Sequence, residues 1–460
     1  MVGSSSGLVD AILGELSRIK QLDADATRGR LFTYIYETGI PELRRLAHRA
    51  FDLFLDTNAL DPTTFRSALV FEREVVSFAK RLAHAGEDVV GTATYGGTES
   101  IFLAVKAARW LYRRRAGASA VGEVVAPVTV HPSTRKAAHY LGLRVVEAPV
   151  DPESKKALPE AVKEALSDRT ALVVLSAPNF PYGTIDPIRD IAEAASDRGI
   201  PVHVDACVGG FILPFLEELG ERVEPWDFRV EGVTSVSLDA HKYGYTPKGV
   251  SIILFRGGEL KKGTIYVDLK WPGYSFINTI VLSSRSAAPL AAAWAVFRYL
   301  GWEGYRGLAE RVISARDYIV GGLRRLGFRE VAPVETPLVA LTTGEEELFK
   351  FHVLMTMRGW VIGLQPRVEG LAPYNIHLTI APIHDRVKEE FIRDAEEAVK
   401  SEAPRELEEA LRLVREDPMK AAGLIGESPA SAVLIARLLD SMPRELAEEV
   451  ARELVVELFK

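Results

Sequence analysis

Between residues 89 and 256 short apolar runs alternate with segments of helical spacing. EVVAPVTV at 123–130, RVVEAPV at 144–150 and ALVVLSAP at 171–178 are rich in β-branched residues and apolar on both faces. Strands covered on both sides by helices have that composition. The intervening STRKAAHYLG segment and the segments after Leu158 and Pro187 have helical spacing. A βαβ rhythm of this kind predicts an α/β fold with a mostly parallel sheet and helices on both of its faces. Ligands bind such sheets at the carboxyl ends of the strands.

Two residues at such ends carry charge. PVHV at 201–204 is a short strand after a helix, and Asp205 stands at its carboxyl end. VTSVSL at 233–238 has the alternation of a strand, and VSIILF at 250–255 has the composition of a buried one. The polar loop between them, Asp239 to Lys248, holds His241 and Lys242. Burial disfavours the ammonium form of a lysine placed there, as an imine-forming amine requires. A lysine at one strand end and an aspartate at another are the two groups a pyridoxal phosphate site most needs. The amine holds the cofactor, and the carboxylate keeps the pyridine nitrogen protonated. A His-Lys pair alone reads as a structural histidine beside a solvent-reaching lysine; Asp205 changes that reading.

VVGTATYGGTES at 89–100 runs strand, glycine turn, helix. Gly96 and Gly97 let the backbone approach a ligand, and Thr98 and Ser100 supply hydroxyls where the helix begins. Free N–H groups and the helix dipole favour a phosphate at that point. Alone it would be an ordinary turn with a threonine cap; beside Asp205 and Lys242 it reads as a phosphate cradle.

HVDACVGGF at 203–211 followed by TSVSLDAHKYGYTPKG at 234–249 resembles the sphingosine-1-phosphate lyases, within the pyridoxal-phosphate-dependent group II decarboxylase family. YGGTES at 95–100, HPSTRKAAHYLG at 131–142 and SAPNFPYGTIDP at 176–187 extend the match, and GLIGESPASAV at 423–433 adds a fainter one. The resemblance implies a fold type I, pyridoxal-phosphate-dependent transferase-like architecture: a large domain with the parallel sheet and a smaller C-terminal α+β domain. It implies Lys242, Asp205 and His131 as catalytic residues. His131 would stack on the pyridine ring and can shuttle protons, while Cys207 would pack on the other ring face. Gly97, Thr98, Asp239, His241 and Ser284 complete the implied cofactor set; Ser283 and Arg285 flank Ser284. A homodimer with shared sites is implied, the N-terminal part giving Tyr36, Asn58 and Asp61 to the partner's site. Tyr36, Tyr182 and Lys248 match groups that hold the substrate's phosphate. A histidine of that set aligns with Asp61, whose charge repels a phosphate unless it is protonated or turned to a cation such as Lys248.

At 460 residues, two or three units are expected. The divisions are an N-terminal helical segment (1–70), a large cofactor domain (71–300) and a small C-terminal domain (301–460). NIHLTIAP at 375–382 reads as a strand of the small domain, and RELEEALRLVRE as a helix with a solvated face. The net charge of −7 gives no reason to expect nucleic-acid binding. The single cysteine, Cys207, excludes an intramolecular disulfide, and no Cys/His spacing suggests a metal. Apolar runs are too short for a membrane segment, and Asp10 and Glu15 interrupt any signal peptide; a cytoplasmic protein is expected. Four Asn and two Gln among abundant Arg and Glu are the pattern of a heat-tolerant chain.

Three functions fit these residues. A carbon–carbon lyase would break Cα–Cβ of an amino substrate with an anionic end group and release an aldehyde. An α-amino-acid decarboxylase would break the bond to the carboxylate, the choice depending on which bond stands perpendicular to the ring. A non-catalytic cofactor-binding protein is the third, and the presence together of Lys242, Asp205, His131 and the phosphate loop argues against it.

Overall fold

In the computed structural model, which describes residues 5–416, 421, 425–426 and 428–457, seven strands form the central sheet. They are β1 (Val89–Thr94), β2 (Glu123–Pro127), β3 (Arg144–Ala148), β4 (Thr170–Ser176), β5 (Val202–Asp205), β6 (Val233–Leu238) and β7 (Ser251–Arg256). Their spatial order is β1-β7-β6-β5-β4-β2-β3. The pairings from β3 across to β6 are parallel, while β7 runs antiparallel to both β6 and β1. The mostly parallel sheet is therefore present. Its one direct return, β6 to β7, spans the loop that carries Lys242.

Alternate strand residues enter different layers. Val124, Ala126, Leu172 and Val174 pack with Ile101, Val105 and Ala137 of helices α4 (Gly97–Ala116) and α5 (Pro132–Leu141). Val125, Val173 and Leu175 face the opposite layer, with Val162 of α6 (Pro159–Ala165) and Ile188 and Ile191 of α7 (Ile188–Ser196). Because both faces are covered, every residue of β2 and β4 is buried. After β7, the two-stranded ribbon β8 (Tyr266–Asp268) and β9 (Phe276–Asn278) leaves Tyr266, Trp271, Tyr274 and Ile277 exposed.

Helix α10 (Ala288–Arg325) leads away from the large sheet, with a break at Gly301, whose φ of 55° is left-handed. Beyond it, β10 (Arg329–Glu330), β11 (Leu338–Thr342), β12 (Gly363–Gln365) and β13 (Asn375–Thr379) form an antiparallel sheet in the order β10-β11-β13-β12. Helices α11 (Glu345–Met357) and α12 (Lys388–Lys400) pack against each other beside it. The strand expected within 375–382 is β13. Helix α13 (Arg405–Glu416) buries Leu407, Ala410, Leu413 and Val414 and turns its glutamates outward, as expected. Gly423, Leu424 and Glu427 of the GLIGESPASAV stretch lie outside the described residues.

The N-terminal segment departs from expectation. Helix α1 (Ser5–Lys20) buries none of its described side chains, so its apolar spacing serves no packing within this chain. Residues 30–32 attach to the small sheet: Val361 N–H donates to Arg30 O at 2.8 Å and Thr379 N–H to Phe32 O at 2.8 Å. Helix α2 (Pro41–Leu53) then packs on α10 and buries Leu43 and Ala47, but Leu46 is exposed. Residues 30–53 therefore link the edge of the small sheet to α10.

Candidate active site

The carboxyl ends of β5 and β6, the β6–β7 loop and the start of α4 converge on one cleft. Asp205 is the last residue of β5, and Asp239 follows β6 directly. Lys242 lies one turn further, its Nζ 3.0 Å from Asp239 Oδ2. The expectation that burial would leave Lys242 poorly charged needs correcting. Burial is the largest single influence and works against the ammonium, but the neighbouring groups, Asp239 first among them, together outweigh it, and the pKa lies above the ordinary lysine value. Burial likewise opposes ionisation of Asp239, yet Lys242 and His241 hold its carboxyl below the usual range. His241 is fixed at the loop's base, where its Nδ1 lies 3.0 Å from Val250 O.

Asp205 Oδ1 accepts a hydrogen bond from Cys207 N–H at 3.1 Å, and no hydrogen bond from the described residues reaches Oδ2. Cys207 is buried, donates to Ser237 Oγ at 3.3 Å, and has its thiol pKa pushed well up by burial. A thiol kept neutral in this way packs rather than reacts. Beneath it, the β5–β6 register sets His203 opposite Ser235 and Asp205 opposite Ser237. His203 lies 2.9 Å from Ser235 Oγ through Nδ1 and 3.2 Å from Ser237 Oγ through Nε2, and burial lowers its pKa to about 4. The sequence offered no role for His203. It is a neutral strut in a hydrogen-bonded chain that ends at Cys207.

His131 lies beyond the end of β2 and caps α5, accepting Ser133 N–H on Nδ1 at 3.2 Å. Burial lowers its pKa, with Asp205 opposing that and Lys242 adding to it. His131, Asp205 and Lys242 thus lie within one another's electrostatic reach. The first turn of α4 closes the cleft. A Cβ at Gly97 would sit 2.7 Å from both Asp239 Oδ2 and Cys207 Sγ, so only glycine lets the helix start this close. Thr98, beside it, is exposed. Glu99 accepts from Tyr95 N–H at 2.6 Å and from Val281 N–H at 2.7 Å, anchoring the loop that leads to Ser284.

The expected substrate residues divide into three places. Tyr36 and Lys248 gather near Lys242: Tyr36 meets Tyr243 edge-on at 4.7 Å, and Lys248 Nζ is 5.9 Å from the Tyr36 ring. Burial raises the Tyr36 phenol to about 12, with Lys242 opposing. Tyr36 thus lies beside the Lys242 cleft of its own chain, whereas the resemblance implies that it crosses to a partner. Tyr182 stands apart, packed with Val331, Ala340 and Ala372 beneath the small sheet, its pKa raised to about 12 by burial. Asp61 lines another hollow, with Ser283, Glu72 and Arg285. It is not turned to Lys248; it accepts from Thr63 Oγ1 at 2.5 Å, Thr64 Oγ1 at 2.9 Å and Thr63 N–H at 2.9 Å, which hold its pKa down to about 2. Asn58 bridges to Ser286 nearby, and Ser284 is exposed on the same loop.

The residues of the cleft fit pyridoxal phosphate. Asp239 Oδ1 is buried with no hydrogen-bond partner among the described residues, Asp205 Oδ2 is free for a ring nitrogen, and the N-terminus of α4, open at Gly96, suits a phosphate. Among the described residues no cluster suits a metal ion, and no helix is long and apolar enough to cross a membrane.

Comparison with known proteins agrees with this geometry. Residues 70–342 match the pyridoxal-dependent decarboxylase conserved domain. The sphingosine-1-phosphate lyase of Dictyostelium discoideum is 38% identical over 79% of this chain and 67% of its own length. Sphingosine-1-phosphate lyase 1 of Rattus norvegicus is 33% identical over 84% of this chain and 67% of its own. The chain therefore spans about two thirds of these relatives. The solved sphingosine-1-phosphate lyase of Burkholderia pseudomallei superposes with a TM-score of 0.80 at 30% identity, covering 91% of this chain and 94% of that one. A glutamate decarboxylase of Lactobacillus brevis, at 23% identity and a TM-score of 0.75, shares the fold. The chain belongs to the pyridoxal-dependent decarboxylase family and is a pyridoxal-phosphate-dependent carbon–carbon lyase.

Proposed function

We propose that this lyase cleaves the Cα–Cβ bond of a phosphorylated long-chain amino alcohol, as the names of its relatives suggest for them. The observation that carries the reading is the cation next to the cleft: Lys248, at its exposed rim, whose Nζ donates to Tyr34 O at 2.9 Å and has no carboxylate partner among the described residues. Burial and the charge of Lys242 both lower its pKa, and an anionic end group beside it would relieve that cost.

Pyridoxal phosphate, when bound, supplies an electron sink joined to Cα. Lys242 would hold the cofactor through Nζ, and Gly97, Thr98 and Ser284 would hold its phosphate. His241 and Asp239 fix the Lys242 loop; Asp205 would keep the ring nitrogen protonated, with His131 and Cys207 on opposite ring faces. His131 is poised to take the β-hydroxyl proton. Cα–Cβ then breaks, the β-carbon leaves as an aldehyde, and Cα gains a proton to give phosphoethanolamine.

Asn58 and Asp61 stand apart from the Lys242 cleft of their own chain, which supports a homodimer with composite sites. The exposed Tyr266, Trp271, Tyr274 and Ile277 of the β8–β9 ribbon offer an apolar face for such contact. A cytoplasmic, heat-tolerant enzyme agrees with the lone cysteine and the scarcity of Asn and Gln. The reading is tested by incubating holoenzyme with a long-chain-base phosphate and with α-amino acids. A fatty aldehyde with phosphoethanolamine supports it; carbon dioxide and an amine replace it with decarboxylation.

A further inference from the structure

A hollow of about 250 Å³ opens beside the cleft, with Tyr36, His241, Tyr245 and Lys248 on one wall and α2 on the other. Arg44 and His48, one turn apart on α2, both line it. Neither forms an ion pair among the described residues. Glu37 is the one carboxylate in its wall, and its Oε1 is taken by Gly39 N–H at 2.9 Å. The hollow is therefore rich in cations and donors and poor in anions.

A second observation points to a ligand. Tyr245 is 8% exposed, and its hydroxyl has no hydrogen-bond partner among the described residues. A buried hydroxyl left unpaired is costly. The same residue holds a left-handed backbone, φ 56°, that non-glycine residues seldom adopt. Strain of this kind gathers at functional sites.

We propose that Arg44 and His48 complete, with Lys248 and Tyr245, a subsite for the phosphate of a phosphomonoester substrate. The inference rests on the lyase reading above and deepens it. It assigns to α2 of the same chain the role that Asp61, an anion turned to Thr63 and Thr64, does not fill. Guanidinium, imidazole and ammonium donors lining one hollow suit a group with three anionic oxygens better than a carboxylate.

The test is calorimetric titration of holoenzyme with O-phosphoethanolamine. The variants are Arg44→Ala/His48→Ala, Tyr245→Phe, and Arg45→Ala as a control, since Arg45 pairs with Glu42 at 2.9 Å outside the hollow. The double variant should bind about tenfold more weakly or worse, the usual loss with charge-assisted contacts. Tyr245→Phe should show a smaller loss, and Arg45→Ala should match the parent. Retained cofactor absorbance shows that each variant is folded. Parent-like binding by the double variant overturns the subsite, while aldehyde release by the parent would leave the lyase reading standing. No phosphomonoester binding by the parent overturns the subsite, and decarboxylation in place of aldehyde release would remove the lyase reading as well.

Discussion

Lys242 Nζ and Asp239 Oδ2 lie 3.0 Å apart, one turn from each other in the loop between β6 and β7. Burial opposes the charge on each, and the pairing prevails: Lys242 titrates above and Asp239 below its ordinary range. The raised lysine contributes stability that is complete below the unfolded value of about 10.4 and is lost as pH rises through the folded one. The lowered aspartate contributes stability present above about 3.9 and lost as pH falls through its folded value.

Cofactor capture needs the neutral amine, so its rate in apoenzyme should climb with pH through the alkaline range. Asp239→Asn removes the strongest of the charges that oppose burial, Asp205 remaining, and should move that climb to lower pH by about one unit or more. The rate of absorbance gain after adding pyridoxal phosphate measures it. An unmoved profile would mean that Asp239 does not hold the proton on Lys242.

Asp205→Asn should keep the fold, because the amide oxygen can still accept Cys207 N–H, and should still bind cofactor. Turnover should fall by about 10²-fold or more, the usual cost of removing a preorganised electrostatic group. Steady-state kinetics with unchanged cofactor stoichiometry would show this. Near-parent kcat would mean the ring nitrogen lies elsewhere.

Acid should destabilise the apoenzyme through its buried histidines. His203, His377 and His384 are each held neutral, with pKa lowered to about 4 by burial. A histidine lowered in the folded state stabilises above its unfolded value of about 6.5 and loses that contribution as pH falls towards 4. Each is worth up to ~3 kcal/mol by that shift. Urea midpoints should drop steeply between those pH values, and His203→Gln should flatten the drop. An identical slope in that variant would show that His203 does not take part.

Asp61 lies in a different hollow from Lys242 of its own chain. If each site borrows the Asp61 loop from its partner, for a role other than holding the phosphate, mixing Lys242→Ala with Asp61→Ala subunits should restore activity in the heterodimer. One of its two sites would then carry both defects and the other neither. Activity that never exceeds the sum of the separate variants would contradict a shared site.

The sheet, the strand ends and the Lys242 loop were legible because they rest on local pattern. Apolar runs mark β2 and β4, and glycine marks the close start of α4. Ser235 and Ser237, polar residues spaced by two in a buried strand, could have pointed to His203, but their meeting depends on a parallel register that no local signal fixes. Tyr36 was placed across a subunit boundary by analogy, whereas contact with Tyr243 places it beside Lys242 of its own chain. Arg44 and His48 were not legible at all. Exposed residues on an amphipathic helix look like solvated charge until the fold sets a hollow beneath them. Burial alone points to a poorly charged Lys242; the opposing nearness of Asp239 is a matter of side-chain geometry that no local pattern encodes.

Borohydride reduction of the holoenzyme followed by peptide mass mapping tests the central claim most directly. The reduced cofactor should be found on Lys242 in the peptide spanning Asp239 to Lys248, and Lys242→Ala should carry none. A label on Lys248, or no label in the parent protein, would contradict the assignment of this cleft.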